Sequence, residues 1–130
     1  MTVVLDASVV AVALTRHDER STWARTVMAD ERLFAPDVLP VEVTQVLRKF
    51  ERSRHISTQQ ADSAFRYLLE LDVQMISFSM LAPRIWHLRH NFTSYDAAYI
   101  ATAEITKAPL ATLDFKMANQ PADCDFLTPP

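Results

Sequence analysis

The chain has 130 residues, a length that suggests one domain with a single buried core. Apolar residues make up 49% and charged residues 22%, which is typical of a globular protein and excludes a disordered one. The net charge of −3 argues against nucleic-acid binding through bulk positive charge, and the complete absence of glycine excludes glycine-rich phosphate loops and dinucleotide fingerprints.

The pattern of apolar residues predicts short strands that alternate with helices. In chain order we expect a strand at 2–5, helices at 8–15 and 19–29, a strand at 33–35, helices at 37–52 and 58–71, a strand at 73–76, helices at 79–90 and 94–106, and strands at 109–113 and 123–127. Strand–helix–strand units of this kind bring their strands together in parallel. The sequence therefore predicts one α/β domain over residues 1–130, with a central, mostly parallel sheet of four to five short strands.

Two details of these helices follow from residue type. Pro40 and Pro83 are each expected in the first turn of a helix, where proline is tolerated. The apolar side of the helix at 37–52 is expected to comprise Val41, Val43, Val46, Leu47 and Phe50.

Three aspartates stand where a predicted strand ends or a predicted helix begins. Asp6 follows the first buried strand, and functional residues of open α/β sheets gather beyond the carboxyl ends of the strands. Asp6 can equally cap the next helix, and Asp96 can belong to a capping box begun by Thr93. Asp114 can be an ordinary cap or turn residue. Taken singly, each aspartate leaves a structural role and a site role open.

Glu42 is harder to explain as a structural residue. It lies between Val41 and Val43 in an apolar helix, where it suits the helix dipole if it faces solvent. If it faces inward, its charge needs a cation or hydrogen-bond partners. Converging carboxylates raise one another's pKa values, and a divalent cation relieves that repulsion. Oxygen-only ligands suit Mg²⁺ or Mn²⁺. Spacing alone does not bring the four acids together.

Four segments of the chain resemble the PIN-domain family, and within it the VapC-type ribonuclease toxins of toxin–antitoxin pairs. The matching segments are residues 3–8, 36–42, 95–101 and 110–114. Each contains one of the four acids in its expected context, and the resemblance covers essentially the whole chain. It implies a three-layer α/β/α sandwich, an acidic pocket that binds Mg²⁺ or Mn²⁺, and hydrolytic cleavage of RNA, often at one site in a tRNA or ribosomal RNA.

The resemblance also assigns roles to individual residues. It makes Asp6 and Asp96 the safest metal ligands. Glu42 and Asp114 complete the catalytic pocket, as ligands or by orienting metal-bound water. Further candidates are the polar positions that commonly support the acids, Ser8 and Thr112.

Basic residues offer candidate RNA contacts. Four of them fall within residues 48–54, where they suit a solvated helix end equally well. Two others adjoin the matching segments, although lone basic residues are usually solvated. The candidate RNA contacts are Arg48, Lys49, Arg89 and Lys116.

The leading hypothesis is a metal-dependent endoribonuclease, a hydrolase of the EC 3.1 class, that cleaves RNA by two-metal-type water attack as the toxin of a type II pair. The resemblance implies a VapB-type antitoxin bound near the active site, and a homodimer alone or within a larger assembly with the antitoxin. One alternative is a catalytically silent PIN-fold binding module. Another is a different carboxylate-dependent phosphohydrolase, which is disfavoured because Ser8 stands where haloacid-dehalogenase phosphatases have a second aspartate.

The expected location is the cytoplasm. No apolar run approaches the ~20 residues that span a bilayer, and the N-terminus lacks the features of a signal peptide. The one cysteine, Cys124, cannot form an internal disulfide, which suits a reducing compartment.

Overall fold

The computed structural model describes residues 1–29 and 32–130, and its centre is a five-stranded sheet in the order β3-β2-β1-β4-β5. All neighbouring strands are parallel. The strands are β1 Thr2–Leu5, β2 Arg32–Pro36, β3 Val73–Ile76, β4 Leu110–Ala111 and β5 Phe126–Leu127. The helices are α1 Ala7–Thr15, α2 Glu19–Ala29, α3 Leu39–Arg52, α4 Thr58–Glu70, α5 Phe78–His87, α6 Ser94–Thr106 and α7 Phe115–Ala118.

The strand order explains the layering of the helices. The chain adds β2 and then β3 on one side of β1, and afterwards crosses over to place β4 and β5 on the other side. Because parallel crossovers are right-handed, this reversal moves the connecting helices to the opposite face of the sheet. Accordingly α1, α2, α3 and α4 pack together, while α5 packs on α6 and α6 lies against β1, β2 and β4. The predicted α/β/α sandwich with a parallel sheet is confirmed.

The core lies along β1 and α6. Val3, Val4 and Leu5 have no exposed surface, as expected for a strand buried on both faces. The sheet-facing side of α6 is rich in alanine, whose small side chain lets a helix approach a sheet closely. Its buried alanines are Ala97, Ala98, Ala101 and Ala103. Among the described helices, none is both long and apolar enough to cross a membrane.

Three predictions about the helices are wrong in detail. Val41 is 69% exposed and does not belong to the buried side of α3, which contains the predicted Val43 and Leu47 and also Leu39. Pro83 lies beyond the first turn of α5, because that helix already begins at Phe78. The same helix ends at His87 rather than near residue 90, and a turn follows it.

One short helix and two unusual backbone conformations were not predicted. Asp114 is followed by α7, a single turn. Arg54 and Lys107 have φ values of 63° and 53°, in the left-handed region that glycine normally occupies. Because the chain has no glycine, non-glycine residues take these positions, and Lys107 does so at the end of α6.

Candidate active site

The candidate site lies where β1 and β4 end, side by side. The strand order reverses between these two strands, and such a switch point is where open α/β sheets bind their ligands. Asp6 directly follows β1, and Asp114 lies three residues beyond the end of β4. The backbone N–H of Asp6 donates to the Ala111 carbonyl (3.0 Å), which holds the two strand ends together.

Asp6 is held by hydroxyl groups rather than used as a helix cap. It occupies the N-cap position of α1, but its side chain makes no capping hydrogen bond. Instead its Oδ2 accepts hydrogen bonds from the Ser8 Oγ (2.6 Å) and the Thr112 Oγ1 (2.8 Å). Burial raises the pKa of the Asp6 carboxyl, the two hydroxyl donors partly offset this, and the charge of Asp114 raises it further.

The two hydroxyl groups are themselves fixed by the backbone that follows β4. The Ser8 Oγ accepts from the Leu113 N–H at 3.1 Å, and the Thr112 Oγ1 accepts from the Asp114 N–H at 2.9 Å. Each hydroxyl therefore accepts one hydrogen bond from the backbone and donates another to Asp6. Both donate to Oδ2 and neither uses Oδ1, so the orientation of the carboxylate is set while its other oxygen is not taken by a hydroxyl.

Glu42 points inward from the first turn of α3 and carries an unsatisfied atom. Its Oε1 is buried without a hydrogen-bond partner, and so is the hydroxyl oxygen of Tyr99. The two groups are neighbours, since the Tyr99 hydroxyl lowers the pKa of Glu42, but their geometry falls short of a hydrogen bond. Burial and the charges of Asp6 and Asp96 raise the pKa of Glu42 overall.

Tyr99 is a residue of the site that the sequence did not single out. It is 1% exposed, and burial together with the charges of Glu42 and Asp6 raises the pKa of its phenol. It lies three residues after Asp96, so both side chains share one face of α6. That spacing, together with its place in the matching segment 95–101, is the sequence signal that could have pointed to it.

Asp96 combines the two roles that the sequence left open. Its backbone N–H donates to the Thr93 Oγ1 (3.1 Å), so Thr93 is the N-cap of α6. Its carboxylate is half-buried near the other acids. Burial raises the pKa of Asp96, and the charges of Asp114 and Asp6 raise it further.

Asp114 is also both a cap and a neighbour of the site. Its Oδ1 accepts a hydrogen bond from the Met117 N–H at 3.0 Å and begins α7. The residue is exposed, yet its charge raises the pKa values of Asp6 and Asp96. It therefore lies at the outer rim of the group.

The four acids lie near one another, and among the described residues no cationic side chain forms an ion pair with Asp6, Glu42 or Asp96. The charges of neighbouring acids raise the pKa values of Asp6, Glu42 and Asp96, and no lysine or arginine contributes to any of these shifts. Within residues 1–29 and 32–130, no three acidic, histidine or cysteine side chains are close enough to hold one metal ion as they stand. The carboxylates thus interact through their charges and do not form a closed cage.

This arrangement fits a hard divalent cation. Its donors are carboxylate oxygens, one of which is buried and unpaired at Glu42 Oε1. Mg²⁺ keeps several of its waters and is bound through one or two carboxylates rather than through a closed protein cage. All four candidate ligands are carboxylates, so the donor set lacks the histidine and cysteine ligands typical of a structural zinc site.

The candidate RNA contacts lie in three different places. Arg48 and Lys49 are exposed in the later part of α3, roughly 9–10 Å along the helix axis from Glu42. Lys116 is exposed on α7, two residues after Asp114. Arg89 follows α5 and stacks on the exposed Trp86 of that helix, with its guanidinium carbon 4.3 Å from the ring centroid.

A fifth basic residue, Arg20, reaches the rim of the site. Its guanidinium carbon is 5.8 Å from the centroid of the Phe115 ring, which brings the start of α2 to α7. No local pattern could have predicted this contact, because the two residues are far apart in sequence. A separate cavity of about 840 Å³ among α1, α2 and α4 contains none of the four acids.

The chain is similar to known proteins over nearly its whole length. The PIN domain profile matches residues 3–122. Ribonuclease VapC1 of Mycobacterium tuberculosis is 35% identical over 119 residues, which cover 91% of this chain and 90% of the relative.

Two solved structures share the fold. The structure of VapBC2 from Rickettsia felis, bound to a DNA fragment from their promoter, has a TM-score of 0.70 at 15% identity and covers 98% of each chain. M. tuberculosis VapC20, described as a sarcin–ricin loop cleaving toxin, has a TM-score of 0.66 at 18% identity and covers 91% of this chain and 95% of its own.

Proposed function

Because the chain belongs to the PIN-domain family, and within it to the VapC group, we propose that it is a metal-dependent endoribonuclease and the toxin of a type II toxin–antitoxin pair. The observation that carries this proposal is the convergence of the acids at the strand switch point, where no cationic side chain of the described residues pairs with Asp6, Glu42 or Asp96. An uncompensated acidic group of this kind suits an enzyme that recruits Mg²⁺ or Mn²⁺.

The acids take different parts in this proposal. Asp6 and Asp96 would hold the ion, and Glu42 and Asp114 would complete the pocket. Once bound, one or two divalent cations would stabilise the charge that develops at the phosphorus and promote the attack of water, the two-metal type of hydrolysis.

The protein's own residues prepare the site for hydrolysis. Ser8 and Thr112 are positioning residues, because they fix Asp6 through its Oδ2. The unpaired Oε1 of Glu42 is the acceptor available to orient the attacking water, and the burial that raises the pKa of Glu42 suits it to receive a proton. Asp114 is exposed to solvent at the rim of the group.

The decisive experiment is cleavage of RNA by the purified protein. Incubation with tRNA or ribosomal RNA in Mg²⁺ or Mn²⁺ should give cleavage that EDTA abolishes. An Asp6→Asn, Asp96→Asn double variant should lose it, while a control with Asp62→Asn and Glu70→Gln, two exposed positions on α4, should cleave like the wild type. Equal cleavage by both double variants would contradict the proposed mechanism.

The same assay separates the alternatives. A silent binding module would leave RNA intact and show no specific metal site in a titration. A phosphatase would release phosphate from small monoesters instead. The Ser8 hydroxyl donates to Asp6, which supports a positioning role there and makes the phosphatase the weaker candidate.

We further propose a VapB-type antitoxin as partner and a homodimer as the toxin's own assembly, both in the cytoplasm. The partner proposal is supported by the fold shared with VapBC2. The dimer proposal is supported by β3, an edge strand of four residues that contains no charge and no proline to block pairing with another chain. Light scattering of the purified chain, alone and with its antitoxin, tests both.

A further inference from the structure

We propose that Trp86 and Arg89 form a stacking platform that binds unpaired RNA a few nucleotides from the cleaved bond. This inference rests on the proposed ribonuclease function and names a part of the substrate contact. It starts from an exposed indole at the end of α5. Trp86 is 68% exposed, while the buried side of that helix is formed by Leu81 and Ile85.

Arg89 holds this indole in a defined arrangement. Its guanidinium carbon lies 4.3 Å from the ring centroid, and its Nη1 donates to the Trp86 carbonyl oxygen at 2.8 Å. One face of the indole is therefore covered by a planar cation. With most of its surface in solvent, the ring still offers a face on which a base can stack.

The charge around the platform favours a polyanion. No aspartate or glutamate occurs between Asp72 and Asp96, and this stretch contains two arginines and two histidines. Arg84 is already paired with Glu104 and Asp123. In the part of the chain that the structure describes, Arg89 forms no ion pair with a carboxylate, so its charge is available to a phosphate.

The platform is anchored in the core and joined to Asp96 by a short segment of chain. Leu88 and Phe92 are buried and joined by a backbone hydrogen bond of 3.1 Å, which anchors the connection between α5 and α6. Arg89 precedes Asp96 by seven residues, so their Cα atoms are at most about 25 Å apart. Tyr95, 60% exposed beside Asp96, offers a second aromatic surface between them.

A physical need for such a contact follows from the acidic pocket. The carboxylates of Asp6, Glu42 and Asp96 repel RNA until a cation binds, and the chain as a whole is negative. Substrate must therefore be held by local cations and by stacking, which does not depend on charge. An aromatic ring paired with an arginine supplies both at one place.

The binding experiment uses the full-length protein in EDTA, so that RNA stays intact. The probes are a labelled single-stranded oligoribonucleotide of mixed sequence and the same strand annealed to its complement. Trp86→Ala should weaken binding of the single strand roughly 5- to 150-fold, the range expected for loss of one stacked base. Trp86→Phe should recover most of the affinity, and the duplex should bind alike to all three proteins. Arg89→Ala should also reduce the slope of log Kd against log salt by about one.

Matched controls come from the opposite face of the sheet. Tyr67 and Arg66 are an exposed aromatic residue and an exposed arginine on α4, and their alanine variants should bind RNA like the wild type. In a Trp23→Phe background, Trp86 is the remaining tryptophan, and unpaired RNA should quench its fluorescence. Unchanged melting temperatures would confirm that each variant folds.

The outcomes separate this inference from the proposed function. If Trp86→Ala cleaves RNA with a raised KM and a nearly unchanged kcat, both ideas hold. If it binds and cleaves like the wild type, the platform is wrong while the ribonuclease stands. If it does so and instead weakens dimer or antitoxin binding, Trp86 is a protein contact and the inference is overturned. Loss of RNA binding in a protein that never cleaves would support the platform and contradict the enzyme.

Discussion

The four site acids and the Arg84–Glu104–Asp123 cluster are two groups of carboxylates that the same fold treats in opposite ways. Glu104 accepts two hydrogen bonds from Arg84, with Nε–Oε1 at 2.6 Å and Nη2–Oε2 at 3.0 Å, and Asp123 lies 3.4 Å from the same guanidinium. At the site, by contrast, burial and neighbouring acids raise the pKa values of Asp6, Glu42 and Asp96, and no basic side chain of the described residues is among the causes that lower them.

The helix α6 makes this comparison direct, because it contributes an acid to each group. Asp96 lies in its first turn and Glu104 more than two turns later. The fold places an arginine beside the second acid and, among the described residues, none that pairs with the first. The two acids of one helix are therefore treated differently, and under the proposed function an external cation would compensate the charge of the first. Conflicts of this kind between stability and local charge are expected at functional sites.

The largest expected effect tests whether only one group is catalytic. Asp6→Asn should lower kcat/KM for RNA cleavage by at least about 100-fold, the order of loss seen when one charge-stabilising group is removed. An asparagine oxygen can still accept from Ser8 and Thr112, so the fold should be kept. The control is Asp123→Asn in the paired group, which should cleave within about two-fold of the wild type. The measurement is the initial rate in Mg²⁺ or Mn²⁺, and a similar loss in both variants would erase the distinction.

The second prediction concerns the loss of the cation from the Arg84–Glu104–Asp123 cluster. Arg84→Met should lower the free energy of unfolding by about 2 kcal/mol, because Glu104, whose side chain is 15% exposed, loses the cation that compensates its burial. Adding Glu104→Leu to this variant should restore most of the loss, since the uncompensated charge is then gone. Urea unfolding at pH 7 measures both.

The control for this prediction is Arg66→Met, an exposed arginine without a carboxylate partner among the described residues. Its effect should stay within about 0.5 kcal/mol. If the Arg84 variant is no less stable than this control, the ion pairs of the Arg84–Glu104–Asp123 cluster do not stabilise the fold, and the proposed difference from the four site acids is wrong.

A smaller change in the free energy of unfolding, of opposite sign, is expected among the four site acids. Glu42→Gln should raise the free energy of unfolding of the metal-free protein by about 1 kcal/mol at pH 7, within the range typical of charge optimisation. Because folding raises the pKa of Glu42, ionisation costs more in the folded state. The penalty is absent below the unfolded pKa of about 4.3, grows as the pH rises, and is complete above the folded pKa.

The pH dependence and a cation make this prediction specific. The gain from Glu42→Gln should vanish at low pH, and millimolar Mg²⁺ should stabilise the wild type more than the variant. Glu70→Gln, at an exposed position on α4, should show neither behaviour. A variant that is less stable than the wild type at every pH would mean that Glu42 is satisfied in the folded protein.

Most of the fold could be predicted because its signals are local. The run that forms β1 is apolar and β-branched, α2 spans the predicted residues 19–29, and the alanines of α6 suit a helix pressed on a sheet. The errors come from contacts that no window of sequence contains. The backbone N–H of Phe78 donates to Asp37 Oδ2 at 3.2 Å, a contact between residues 41 apart in sequence, and α5 begins at Phe78, one residue before the predicted start.

The site was less predictable than the fold. The order of the acids came from a family resemblance, whereas their convergence depends on β4 pairing with β1, which no spacing reveals. Tyr99 and Arg20 were missed for the same reason, since each meets its partner across elements. Val41 was misplaced because the inward turn of Glu42 rotates its neighbour toward solvent.

The smallest expected effect concerns backbone strain at the C-terminal end of α6, the end that carries Glu104. Lys107 ends this helix with φ 53° and ψ 41°, a conformation that costs an L-residue about 1–2 kcal/mol and that a chain without glycine has to accept. Lys107→Gly should raise the free energy of unfolding by about 0.5–1 kcal/mol, since the greater freedom of glycine in the unfolded chain offsets part of the gain. Lys107→Ala keeps the Cβ atom and should give no such gain. Both variants should cleave RNA normally, because Lys107 lies at the opposite end of α6 from Asp96. If Lys107→Gly and Lys107→Ala stabilise the protein equally, the effect comes from the lysine charge. Backbone strain at the C-terminal end of α6 would then not distinguish the Arg84–Glu104–Asp123 cluster from the four site acids.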